Sequence, residues 1–169
     1  LKTTRYTIEC PLVLGSMLAG GKADNETALR EFARPLGLAF QIENDLHEIE
    51  LLPDIAPELA YDLHCGVKTL VLKRLHDTLS PRKQRHLINA LSEAQTPESL
   101  HMLARLVQES GIVDELNREV RTHFTRARQF LQESSLSTGE VAFLESVVTF
   151  IQGRRRHSES TVLAEAQTA

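Results

Sequence analysis

The sequence predicts an all-α protein, a helical bundle, and three observations predict it. Glycine and proline are sparse inside the long segments, alternation of β-branched residues is nearly absent, and apolar residues recur at spacings of three and four. No internal repeat or linker interrupts the pattern, so one domain is expected over residues 1–153, followed by a mobile tail at 154–169. With 169 residues and 41% hydrophobic content the chain has material for a real core, and an aliphatic one, because Trp is absent and aromatics are few.

The elements follow in order. A first helix is expected from Arg5 to Leu18, kinked at Pro11 and stopped by Gly20-Gly21. A second is expected to start near Asn25, capped by that side chain, and to run past Ile49 to Leu51. Its apolar positions Leu29, Phe32, Leu36, Ala39 and Phe40 continue through Ile42, Leu46 and Ile49, the pattern of a long, largely buried helix. Leu52 to Gly66 holds two prolines and reads as a loop, and helix resumes over Lys68–Leu79. Ser80-Pro81 and Thr96-Pro97 each place a capping residue before a proline at the first helical position. Gly111 marks a break, and Ile112 to Leu131 is amphipathic. Ser137-Thr138-Gly139-Glu140 is a capping box for a last helix expected to end near Gly153.

Charge and composition exclude several functions. A net charge of −4 gives no support to non-specific nucleic-acid binding. The apolar runs fall far short of the about 18 residues of a transmembrane helix, and LKTTRYTIE lacks the apolar region of a signal peptide. Cys10 and Cys65 are too few for a disulfide framework and too isolated for a zinc site, so a reduced, cytoplasmic setting is expected. The chain opens on Leu rather than Met, which leads to the expectation of a fragment or processed product.

Two polar clusters interrupt the apolar pattern. Gln41, Asn44, Asp45 and Glu48 stand at i, i+3, i+4 and i+7 and form one stripe of the second helix, distinct from the apolar stripe Leu38, Ile42, Leu46 and Ile49. Carboxylates and amides one turn apart offer the oxygen ligands that a hard cation such as Mg²⁺ needs. The plain alternative is a solvated acidic face, against which stands the cost of burying carboxylates on a helix that is otherwise apolar. His47 lies off the stripe, as a surface or packing histidine would. In the first helix Lys2 and Tyr6 lie one turn apart with Thr3 beside them. That combination suits a diphosphate, although an ordinary helix start has the same composition.

The ordered set KTTRYTIECPLVLGSMLAGG, FARPLGLAFQIENDLHE, DLHCGVKTLVL and ESGIVDEL resembles the trans-isoprenyl diphosphate synthases, or polyprenyl synthetases, from Lys2 to about Arg155. The wording is most similar to bacterial geranylgeranyl- or farnesyl-type synthases, and it covers about the C-terminal half of such a protein. The resemblance implies an isoprenoid-synthase-type helical bundle in which two aspartate-rich motifs hold Mg²⁺ against the diphosphate of an allylic substrate. Ionisation yields an allylic cation, isopentenyl diphosphate attacks it, and a proton is lost. By motif, the resemblance implies that Lys2 contacts diphosphate, that Thr3 and Gln41 line the cation site, and that Tyr6 lies near the allylic pocket. It further implies that Asp45, with Asn44 and Glu48, forms the second aspartate-rich motif, that Lys68 contributes to substrate binding, and that the protein is a homodimer. The missing N-terminal half of the same protein would bring the first motif.

The sequence departs from the family pattern at three places. The second motif, FQxxDDxxD in the family, reads here from Phe40 to Glu48 with Asn44 as its first aspartate position and Glu48 as its last. A Gly-Lys pair of the following loop is Ala56-Pro57, and Val67 stands where a first lysine precedes Lys68-Thr69. The Asn-Asp start also matches class I terpene cyclases, but their next two positions fall here on Glu48 and Leu52, which breaks that pattern. The sequence therefore carries two readings: a prenyltransferase with a degenerate second motif, or a non-catalytic homologue or regulatory subunit that binds metal weakly. A ligand-free helical adaptor is the third, and the ordered motifs speak against it.

Overall fold

A computed structural model describes residues 4–50, 69–92 and 96–166; the side chains of residues 48, 50 and 155–166 lie outside that description. Among the described residues every regular element is helical, which is the all-α architecture the apolar spacing predicts. A π-helical turn, Arg5–Glu9, leads into α1 (Cys10–Leu18), followed by α2 (Ala23–Glu50) and α3 (Leu70–Thr78). Then come α4 (Pro81–Ser92), α5 (Pro97–Ser110), α6 (Ile112–Glu133) and α7 (Thr138–Ala166). The expected loop at 52–66 falls outside the described residues.

The termini show why the segments begin and end where they do. Thr96 accepts the Ser99 N–H through its hydroxyl at 3.2 Å, and Pro97 occupies the first turn of α5, where its missing N–H takes nothing from the helix. Gly111 ends α5 at φ 70°, a left-handed geometry that glycine adopts without steric penalty. The capping box of α7 forms reciprocally: Ser137 N–H donates to Glu140 Oε2 at 2.7 Å, and Glu140 N–H donates to Ser137 Oγ at 3.4 Å. The Ser137 hydroxyl, donating to the same carboxylate oxygen at 2.6 Å, and next the Ser137 N–H hold the Glu140 carboxyl below its usual pKa.

Three details differ from the sequence reading. Helix α2 starts at Ala23, so Asn25 lies inside it and its amide donates to Glu140 at 3.3 Å instead of capping. The first helix opens as a π-turn instead of an α-helical one, and the closing bond of that turn runs from Cys10 N–H to Arg5 O. Pro11 follows immediately and has no N–H to lose. Helix α7 continues through Gly153 to Ala166, because an interior glycine weakens a helix by only about 1 kcal/mol and does not forbid it.

The described chain groups into two compact units, residues 1–41 with 120–169 and residues 42–119, and the chain passes between them inside α2 and inside α6. In the first unit Phe32, Leu36, Phe124, Leu131 and Val148 are buried. Arg128 ties α6 to α7 through Glu145 at 3.0 Å and Gln152 at 2.8 Å. In the second unit Leu46, Leu75, Leu87, Leu103 and Leu116 are buried, and α5 packs against both α3 and α4. Helix α2 carries Pro35 in its interior, at a cost of about 3 kcal/mol. Burying Phe32, Leu36, Ile42, Leu46 and Ile49 on the same helix is worth about 1.5–3 kcal/mol each, so the buried face outweighs the proline.

Candidate functional site

The first polar cluster lies at the start of the first unit. Lys2 and Thr3 are outside the described residues; Tyr6, on the π-turn, exposes 72% of its surface. The turn is fixed to α2 by two contacts. Thr4 is buried and rests on Gly37, where a Cβ would come within 3.1 Å of the Thr4 Cα and closer still to its side chain. Glu9, almost fully buried, accepts a hydrogen bond from Arg30 at 2.9 Å. A buried carboxylate demands such a partner, and the half-exposed guanidinium supplies it while keeping part of its hydration. The Thr4 hydroxyl itself is buried and has no hydrogen-bond partner among the described residues.

The second cluster is the polar stripe of α2. Gln41 is half-buried, and beside it the Arg154 guanidinium sits 5.0 Å over the Phe40 ring. Asn44 is exposed, whereas Asp45, one residue on, is 95% buried. Successive helical residues diverge by about 100°, which is how neighbours on one stripe come to face different surroundings. Half-buried His47 stands off the stripe. The Glu48 side chain and Lys68 lie outside the described residues.

The surroundings of Asp45 are the least expected feature of the stripe. Its Oδ2 accepts the backbone N–H of Leu70, the first residue of α3, at 2.9 Å. The preceding residue, buried Thr69, caps the same helix locally by accepting the Leu72 N–H through Oγ1 at 3.2 Å. The start of α3 is thus held twice, once by its own capping residue and once by a carboxylate 25 positions upstream. Sequence spacing identifies the Thr69 cap but contains nothing that pairs Asp45 with Leu70.

The donor chemistry of this stripe, amide and carboxylate oxygens, suits a hard cation. Asp45 meets part of that need while one of its oxygens already serves Leu70. Among the described residues no three His, Cys, Asp or Glu side chains converge as a metal site. Elsewhere in the second unit, Glu109 receives Lys83 and Arg105, each at 2.8 Å. These two cations hold its carboxyl down to about 2. A cleft of about 290 Å³ lies between Ile49, Val107, Gln108 and Asp114. No helix among the described residues is long and apolar enough to cross a membrane.

Taken together, the helical architecture, the buried helix with its amide-and-carboxylate stripe, and the ordered motifs define an all-α bundle of the isoprenoid-synthase type. Residues 1–109 match the polyprenyl synthetase family, and the chain belongs to it. The chain is 26% identical over 129 residues to a geranylfarnesyl diphosphate synthase of Aeropyrum pernix, an alignment covering 76% of this chain and 40% of that protein. It is 28% identical over 93 residues to a short chain isoprenyl diphosphate synthase of Methanocaldococcus jannaschii, covering 53% of this chain and 28% of the relative. The chain therefore spans less than half the length of these curated relatives. No solved structure gives a significant match.

Proposed function

We propose that the protein to which this chain belongs is a prenyltransferase that condenses isopentenyl diphosphate with an allylic diphosphate, this chain supplying the second, degenerate aspartate-rich motif. The observation that carries the reading is the stripe of Gln41, Asn44 and Asp45 on the partly buried helix α2, inside the segment that matches the polyprenyl synthetase family. Names of similar proteins support the same chemistry, since both are isoprenyl diphosphate synthases.

In this reading Asn44 and Glu48 are the oxygen donors for Mg²⁺, Asp45 stands beside them with one oxygen given to Leu70, and Lys2 and Lys68 offer cations to the diphosphates. Bound there, Mg²⁺ supplies the positive charge that lets an allylic diphosphate depart with its bonding electrons. Thr3 and Gln41 present oxygen dipoles where the allylic cation develops, and Tyr6 borders the pocket that receives the prenyl chain. The double bond of isopentenyl diphosphate then forms the new carbon–carbon bond and a proton is lost. An apolar enclosure keeps water from capturing the cation. A cytoplasmic homodimer, with an N-terminal half that brings the first aspartate-rich motif, completes the proposal.

Asn44 favours one competing reading, a non-catalytic homologue or regulatory subunit, because an amide carries no charge toward a cation that several ligands share. The Mg²⁺ dependence of condensation by the full-length protein, with and without Asn44→Asp, separates the two. Restoring the carboxylate is expected to raise activity or lower the Mg²⁺ requirement. An unchanged Mg²⁺ dependence would place Asn44 outside the metal shell.

A further inference from the structure

The geometry points to Asp45 as a positioning residue: a tertiary helix cap that fixes the N-terminus of α3 against α2, so that its carboxylate acts on ligand binding through Leu70. Three observations carry this. Asp45 is 95% buried, out of reach of bulk solvent, while its stripe neighbour Asn44 is exposed. Its Oδ2 lies 2.9 Å from the Leu70 nitrogen, the ideal length for a charge-assisted N–H···O⁻ bond. Leu70 is the first residue of α3, one of the positions whose N–H finds no acceptor within its own helix. Thr69 serves the Leu72 N–H and cannot also serve Leu70, so the orphan donor is satisfied from α2.

The consequence is a division of labour within the stripe. Asp45 commits one oxygen to the fold, and the side chain that the described stripe presents to solvent is Asn44. The carboxylate also complements the positive end of α3, so the cap and the helix dipole act in the same direction. For the binding of a diphosphate this deepens, and in that part rests on, the prenyltransferase reading; for the cap itself it rests on geometry alone.

Two complementary substitutions test the role in the full-length protein. Asp45→Ala removes the acceptor, and Leu70→Pro removes the donor while leaving the carboxylate. Thr69 is already extended at φ −67° and ψ 160°, the conformation a following proline requires, and proline is well tolerated at the first helical position, so Leu70→Pro is expected to fold. Leu70→Ala keeps the N–H and controls for the lost side chain. Asp45→Asn keeps an oxygen acceptor and should rescue the cap.

The first readout is hydrogen exchange at the Leu70 amide without metal or substrate. Exchange in Asp45→Ala should be at least about tenfold faster than in the wild type, as expected for losing a hydrogen bond to a charged group, and Asp45→Asn should restore most of the protection. Unchanged exchange in Asp45→Ala, or exchange in Asp45→Asn as fast as in Asp45→Ala, overturns the cap.

The second readout is Mg²⁺-dependent binding of inorganic pyrophosphate by the folded variants. Asp45→Ala and Leu70→Pro should weaken it alike, by about tenfold or more on the same energetic grounds, while Leu70→Ala stays close to wild type. Loss in Asp45→Asn with full binding in Leu70→Pro would make Asp45 a direct cation ligand and overturn the positioning role. Full binding in both Asp45→Ala and Leu70→Pro would overturn it as well, leaving a purely structural cap. Absence of pyrophosphate binding in the wild type would instead remove the diphosphate reading, with the exchange result still deciding the cap.

Discussion

The seat of the π-turn on α2 makes a prediction in which two opposing effects are of similar size. Adding a methyl group at Gly37 removes the helix penalty of an interior glycine, a gain of about 1 kcal/mol. The new Cβ would come within 3.1 Å of the Thr4 Cα and closer to its methyl group, and buried Thr4 cannot yield without shifting the turn that follows it. Overpacking of this kind costs about 1–3 kcal/mol, so Gly37→Ala should be destabilising by about 1 kcal/mol net. Gly15, inside α1, has no heavy atom within 4 Å of the same added atom, so Gly15→Ala keeps the gain and should stabilise by about 1 kcal/mol. The same chemical change is thus expected with opposite signs at two helical glycines of one unit. Urea unfolding followed by circular dichroism separates them: with a slope of about 2 kcal/mol per molar, the midpoints should lie about 1 M apart. Thr4→Ala adds a second test, because it removes both the obstructing methyl and a hydroxyl that is buried without a partner among the described residues. It should suppress the Gly37→Ala defect non-additively. If Gly37→Ala raises the midpoint as much as Gly15→Ala does, the close seat of Thr4 on α2 is refuted.

The remaining predictions concern charge. Arg30→Ala leaves the Glu9 carboxylate, 7% exposed, without that partner and should destabilise by about 1–2 kcal/mol, discounted for the half-exposed guanidinium. Glu9→Gln should lose less, because no buried charge remains, and urea midpoints that rank the two variants in the opposite order would contradict the assignment. Glu109 is held at about 2 against an ordinary carboxyl near 4.5, first by its hydrogen bond from Lys83 and next by that from Arg105. A depressed folded-state value stabilises fully above about pH 4.5 and is lost as pH falls toward 2. Melting temperatures of Glu109→Gln should therefore be less sensitive to acid over that window, and a slope identical to wild type would show that the cluster does not set the acid response.

The parts of this molecule that depend on short chain distances were legible. The Thr96-Pro97 start, the Gly111 stop and the reciprocal Ser137–Glu140 box all involve groups within a few residues of each other, where a hydrogen bond is fixed by the local backbone. The buried face of α2 was legible for the same reason, through its spacing of three and four. What the spacing hides is pairing between elements. Asn25 has the composition of a cap, yet α2 gains a further turn ahead of it and the amide turns to Glu140, 115 positions away. Gly37 sits in mid-helix, and nothing in the local spacing says that Thr4 rests against it. Asp45 was legible as an oxygen donor on the polar stripe, and its commitment to Leu70 was not, because no periodicity couples α2 to the first turn of α3. The members of the stripe differ in burial and partners, and no spacing along the chain shows that difference.

The central claim is that this member of the polyprenyl synthetase family belongs to a working prenyltransferase. Its most direct test is incorporation of labelled isopentenyl diphosphate by the full-length protein in the presence of Mg²⁺ and dimethylallyl, geranyl or farnesyl diphosphate. The account predicts a longer prenyl diphosphate that forms with at least one of these allylic partners, depends on Mg²⁺, and disappears in Asp45→Ala. No product with any of the three, from protein shown to be folded, would contradict it.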